Sequence, residues 1–71
     1  MSEQTPGERI KEVRESLGLS QRTFAGMIGV TPIIQNRWER NKQEPSETII
    51  RFVELIATLK PGADWLKLYS S

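Results

Sequence analysis

Gln21 to Arg40 read QRTFAGMIGVTPIIQNRWER, and the fold turns on this stretch. Ser20, just ahead of it, is a helix-capping residue. Phe24 and Ile28 then recur four apart as one apolar stripe. Gly29 follows where the stripe ends and the chain must reverse, and there a positive φ costs glycine nothing. Thr31-Pro32 has the form of a new start, a capping hydroxyl followed by a ring that suits the first helical position. The pattern predicts two short helices, 21–28 and 32–40, with a tight turn between them at Gly29-Val30-Thr31. Ala25 lies one turn into the first, where a steeply crossing partner must approach closely. Phe24, Ile28, Val30 and Trp38 supply the packing beneath the angle, which makes Trp38 a core residue rather than a stacking platform.

Upstream, Thr5-Pro6-Gly7-Glu8 fits a helix start with a capping box between Thr5 and Glu8. Ile10, Val13 and Leu17 form the apolar stripe of that helix, and Gly18 stops it. Downstream, Pro45-Ser46-Glu47 opens a further helix with Ile49, Phe52, Val53 and Ile56 on its inner face and Leu59 last before Pro61. Gly62 to Tyr69 is a candidate fifth helix, carrying Trp65, Leu66 and Leu68; with Tyr69 these either close the core or make a dimer contact. No segment alternates as a strand does. The fold class is all-α: a compact bundle of four to five short helices, with residues 1–6 as a flexible N-terminus and 7–69 as one domain.

Length and composition narrow the function. A chain of 71 residues is one domain at most. It has no cysteine and no histidine, so disulfides, thiol nucleophiles, zinc fingers and a Ser-His relay are absent. Without a convincing carboxylate pair either, no enzyme chemistry, cofactor or metal site suggests itself. The N-terminus has no signal peptide, and no apolar run approaches the ~20 residues that span a bilayer, which points to the cytoplasm. The overall charge of +1 is uninformative, but its placement is not. Arg22, Arg37, Arg40 and Lys42 against Glu39 alone give residues 20–43 a net +3, while residues 1–19 and 44–71 are each −1. Such an excess also fits an ordinary solvated face.

Two helices meeting at a tight turn are the helix-turn-helix arrangement, whose second helix lies in the DNA major groove. LGLSQRTFAGMIGVT (Leu17 to Thr31), RWER (Arg37 to Arg40), and Pro45 followed by an apolar helix together resemble the helix-turn-helix proteins of the lambdoid repressor and Cro type, the xenobiotic-response-element family. The resemblance covers roughly residues 8–59. It implies that Arg14 and Glu39 form a structural ion pair between the first helix and the recognition helix, and that Gln21 braces against a DNA phosphate. Free N–H groups at the helix start favour the same anion. Two positions depart from the family. Asn41 replaces the usual glycine, a mild change because asparagine tolerates the left-handed conformation. Gln35 stands where a branched apolar residue points into the core. Ile34 could share that packing while the amide reaches a backbone group or the rim. In the family register, Gln35→Val is expected to stabilise the fold.

Site residues follow from this placement. Base contacts are expected from Pro32, Ile33, Asn36 and Arg37. Ile33 is either a thymine-methyl contact or core; asparagine pairs bidentately with adenine and arginine with guanine. Phosphate contacts are expected from Gln21, Arg22, Thr31, Arg40, Asn41 and Lys42. The function implied is sequence-specific binding of double-stranded DNA by a small bacterial or phage transcriptional regulator, nucleoid-associated when bound. It is a repressor that is either complete and acting by occupancy or the DNA-binding piece of something larger. A homodimer is expected, completed only on DNA if weak in solution. The alternatives are an antitoxin that binds a toxin protein and represses its own operon, and a protein-interaction module without DNA binding.

Overall fold

The computed structural model describes residues 4–59, and these form four helices and no strand: α1 (Pro6–Ser16), α2 (Gln21–Ile28), α3 (Pro32–Glu39) and α4 (Glu47–Leu59). Each begins at a side-chain cap. The Thr5 hydroxyl accepts from the Glu8 amide at 3.1 Å, and the Glu8 carboxylate accepts from the Thr5 amide at 2.8 Å, closing the capping box of α1. Pro6 thus already belongs to α1, inside the stretch read as a loose N-terminus. Ser20 caps α2 through the Thr23 amide, Thr31 caps α3 through the Ile34 amide, and Ser46 receives the Ile49 amide at the head of α4. Gly29 ends α2 at φ 82°, and Asn41 follows α3 at φ 57°, both in the left-handed region. The candidate fifth helix and the Trp65-Leu66-Leu68-Tyr69 cluster lie outside the described residues.

Ile10 and Val13 of α1, Phe24, Ala25 and Ile28 of α2, Trp38 of α3, and Val53 and Ile56 of α4 form the buried core. α1 packs on both α3 and α4, while α2 packs on α3. The approach of α1 to α3 is close enough to require a glycine. A Cβ at Gly7 would collide with the Trp38 carbonyl oxygen.

The rotation of α4 corrects one expectation. Phe52 is not on the inner face; it is 40% exposed, and Leu55 and Leu59 beside it are exposed as well. At ~100° per residue, Val53, Ile56 and the half-buried Ile49 centre the inner face, with Ala57 at its edge. Phe52, Leu55 and Leu59 fall together on one flank. On the opposite flank Glu54 accepts from Arg9 Nε at 2.7 Å and Nη2 at 2.8 Å, a contact between α4 and α1.

Candidate nucleic-acid interface

α3 divides cleanly into two faces. Gln35, Trp38 and the half-buried Ile34 point inward. Pro32, Ile33, Arg37 and Arg40 are exposed, and Asn36 is half-buried at the edge toward α2. Ile33 is 65% exposed, so the core alternative for it is excluded. An exposed isoleucine on a polar helix face is suited to meet an apolar group such as a thymine methyl.

The cations beside this face differ from those elsewhere. Among the described residues, Arg9, Arg14 and Arg51 are engaged in ion pairs. Arg22, Arg37, Arg40 and Lys42 are exposed and paired with no carboxylate, as is Lys11 on α1. Among the described residues the cations without a carboxylate partner are therefore mostly on the helix-turn-helix, where they can attract a polyanion.

Behind α3 lies a polar network that holds it in place. Arg14 donates to Glu39 Oε2 from Nε at 2.7 Å and to Oε1 from Nη2 at 3.0 Å, and Nη1 donates to the Leu19 carbonyl at 2.7 Å. The two side chains are only 13% and 3% exposed. Burial pushes the Glu39 carboxyl up, but donors from Arg14, Gln35 and Gln21 outweigh it and hold the group below its usual range. The same contact raises the Arg14 guanidinium.

Gln35 is fully buried, as the family register places it, yet its amide is not idle. Nε2 donates to Glu39 Oε2 at 2.7 Å, one turn along α3, while Oε1 has no partner. The amide thus reaches a carboxylate, not a backbone group or the rim. Gln21 Nε2 donates to Glu39 Oε1 at 3.1 Å, and Gln21 Oε1 accepts from Asn36 Nδ2 at 3.3 Å. The structure therefore joins Gln21 and Asn36 to each other and to the ion pair. The i,i+4 spacing of Gln35 and Glu39 was the signal available in sequence. Gly7 offered none, because a glycine near a helix start has many bland explanations.

The remaining candidates each keep a donor free. Thr31 Oγ1 accepts the α3 capping bond, which leaves its O–H. Asn41 Oδ1 accepts from Thr5 Oγ1 at 2.8 Å, so the oxygen ties α3's end to α1's start, which leaves the NH2 group of this exposed residue as a donor. No cluster of three His, Cys, Asp or Glu side chains that could hold a metal occurs among the described residues. No helix among them is long and apolar enough to cross a membrane.

The family model described as helix-turn-helix matches residues 10–54, more than half of the chain, and includes Arg14, Gln21, Gln35, Asn36 and Glu39 of the polar network. The chain belongs to the Cro/C1-type helix-turn-helix family. This is a family of DNA-binding transcription regulators, and DNA is the partner it sets for this helix-turn-helix protein. No curated protein and no solved structure matches the chain.

Proposed function

We propose that this helix-turn-helix protein is a sequence-specific repressor of bacterial or phage origin, working in the cytoplasm as a single domain. In this reading α3 enters the major groove with Pro32, Ile33, Asn36 and Arg37 at base edges. Gln21, Arg22, Thr31, Arg40, Asn41 and Lys42 hold phosphates on either side. The observation that carries it is the outer side of α3, where Pro32, Ile33 and Arg37 are exposed and Asn36 is half-buried at the edge, beside cations that have no carboxylate partner among the described residues. Phosphate contacts would position the domain, and base edges would select the site.

A second copy would double the readout. One small module buries too little surface for tight specific binding, and the exposed flank of Phe52, Leu55 and Leu59 offers an apolar contact for a symmetric partner. Two recognition helices would then lie about 34–36 Å apart on a pseudo-palindrome.

Selection of bound duplexes from a random pool tests the reading. A repressor of this kind should enrich one motif, with affinity falling steeply as salt rises. A pool that stays random, with no salt-dependent binding, would identify an interaction module instead.

A further inference from the structure

The hydrogen bonds between Glu39, Gln21 and Asn36 have a direction, and that direction reaches the DNA-facing side of α3. An ionised carboxylate accepts only. Both Glu39 oxygens are already turned toward donors, Oε2 to Arg14 and Gln35, Oε1 to Arg14 and Gln21. Gln21 must therefore present its NH2 to Glu39, and its carbonyl oxygen necessarily faces the other way. That oxygen meets Asn36, so Asn36 must present its NH2 to Gln21. An asparagine side chain in isolation can turn its oxygen and nitrogen over at little cost. Here a buried charge two residues away in the chain of contacts forbids it.

We propose that Glu39 acts as a positioning residue for base recognition, setting through Gln21 the polarity of the Asn36 amide so that Asn36 offers a carbonyl oxygen with one remaining N–H and accepts adenine. The inference rests on the reading of α3 as the DNA-facing helix. Adenine is the base whose major-groove edge pairs a donor, N6–H2, with an acceptor, N7, and a fixed asparagine amide complements both. Guanine offers two acceptors there and leaves the asparagine oxygen facing O6. Preorganisation matters because a freely turning amide could satisfy either edge in part. Arg14 and Gln35 contribute by keeping the carboxylate ionised and oriented, held from the core side where water does not compete.

The test is selection from a random duplex pool with the full chain, comparing wild type, Asn36→Ala, Glu39→Gln and Gln21→Met after each is checked for cooperative melting. Asn36→Ala identifies the position that Asn36 reads, as the one whose preference it erases. Wild type should favour adenine there by about tenfold or more. Glu39→Gln can donate as well as accept, so the Gln21 amide is free to turn over. Adenine preference at that position should then fall to within about threefold of the other bases, with preferences elsewhere kept. Gln21→Met breaks the relay near the surface and should give the same loss; it decides the outcome if Glu39→Gln does not melt cooperatively. Adenine preference retained in Gln21→Met, or in a folded Glu39→Gln, overturns the proposal, as does a base other than adenine at the Asn36 position. A merely structural Glu39 would weaken all sites alike. Loss of salt-dependent duplex binding in wild type would remove the DNA reading itself, a result distinct from a selected motif whose adenine is indifferent to Glu39.

Discussion

Gly7 and Gln35 are the two residues whose roles depend most on neighbours far along the chain. Gly7→Ala gains up to ~1 kcal/mol of helical propensity but drives a methyl into the Trp38 carbonyl, which the close α1–α3 contact cannot relieve without moving backbone. Overpacking of this kind costs about 1–3 kcal/mol. The melting temperature should fall by several degrees, while Gly26→Ala, whose Cβ would meet nothing, should raise it. Equal shifts in thermal melts of the two variants would remove the close contact as an explanation. For Gln35 the structure reverses the expectation drawn from sequence. Gln35→Val removes an orphaned oxygen, a gain, but it also removes a donor to a buried carboxylate, and the shorter side chain leaves a void at a fully buried site. The two polar effects nearly cancel, and the void leaves a net loss of about 1 kcal/mol. A melting temperature above wild type would sink this account.

At the scale of elements, the caps made the helices legible. Thr5, Ser20, Thr31 and Ser46 each receive the amide three residues on, so the boundaries of α1 to α3 follow from local hydrogen bonding. The inner face of α4 was not legible, because Phe52 fits an apolar stripe as well as Ala57 does. Burial of Val53 and Ile56 in the core shared with α1 settles which way the helix turns, with the Arg9–Glu54 contact beside it. For α3, exposure of its outer face allows the two kinds of DNA contact to be separated. Arg37→Ala should cost about 1–3 kcal/mol on the preferred site and relax sequence choice at one base pair. Lys42→Ala should weaken all duplexes similarly and lower the salt slope by about one. Uniform loss across sequences in both variants, measured by titration at several salt concentrations, would move Arg37 to the phosphates.

The whole molecule is held by charge as well as by its small core, and this gives it a pH dependence. The folded-state Glu39 carboxyl lies below its usual value, so the unfolded chain binds more protons in acid. Its stabilisation is complete above the ordinary carboxylate range, roughly pH 4–5, and is lost as pH falls through the lower folded value. Glu54 moves in the same direction through Arg9, but solvent screens that exposed pair. Denaturant melts should show stability falling with acid below that range, and Glu39→Gln should flatten the fall. An unchanged acid limb in that variant would place the dependence elsewhere. Assembly is tested by sedimentation with and without the selected duplex. Two protomers should occupy one site, and Leu55→Glu should reduce occupancy to one or abolish cooperative binding. A single wild-type protomer at saturation, on a site without symmetry, would defeat the dimer.

Sequence alone determined the four helices, the tight turn at Gly29 and the charge concentrated on residues 20–43, because caps, glycine conformation and apolar spacing act within a few residues. The resemblance carried by Leu17 to Thr31 and Arg37 to Arg40 added the register that sets Gln35 inward, while the exposure of Ile33 was decided by the structure. Tertiary structure alone decided what those positions do. Whether a buried glutamine is a defect or a donor depends on the carboxylate beside it, and whether a glycine is incidental depends on a carbonyl some thirty residues away. The orientation of the Asn36 amide is of the same kind. It is set by the accept-only chemistry of Glu39, passed through Gln21 across the gap between two helices, and no local pattern in the chain encodes it.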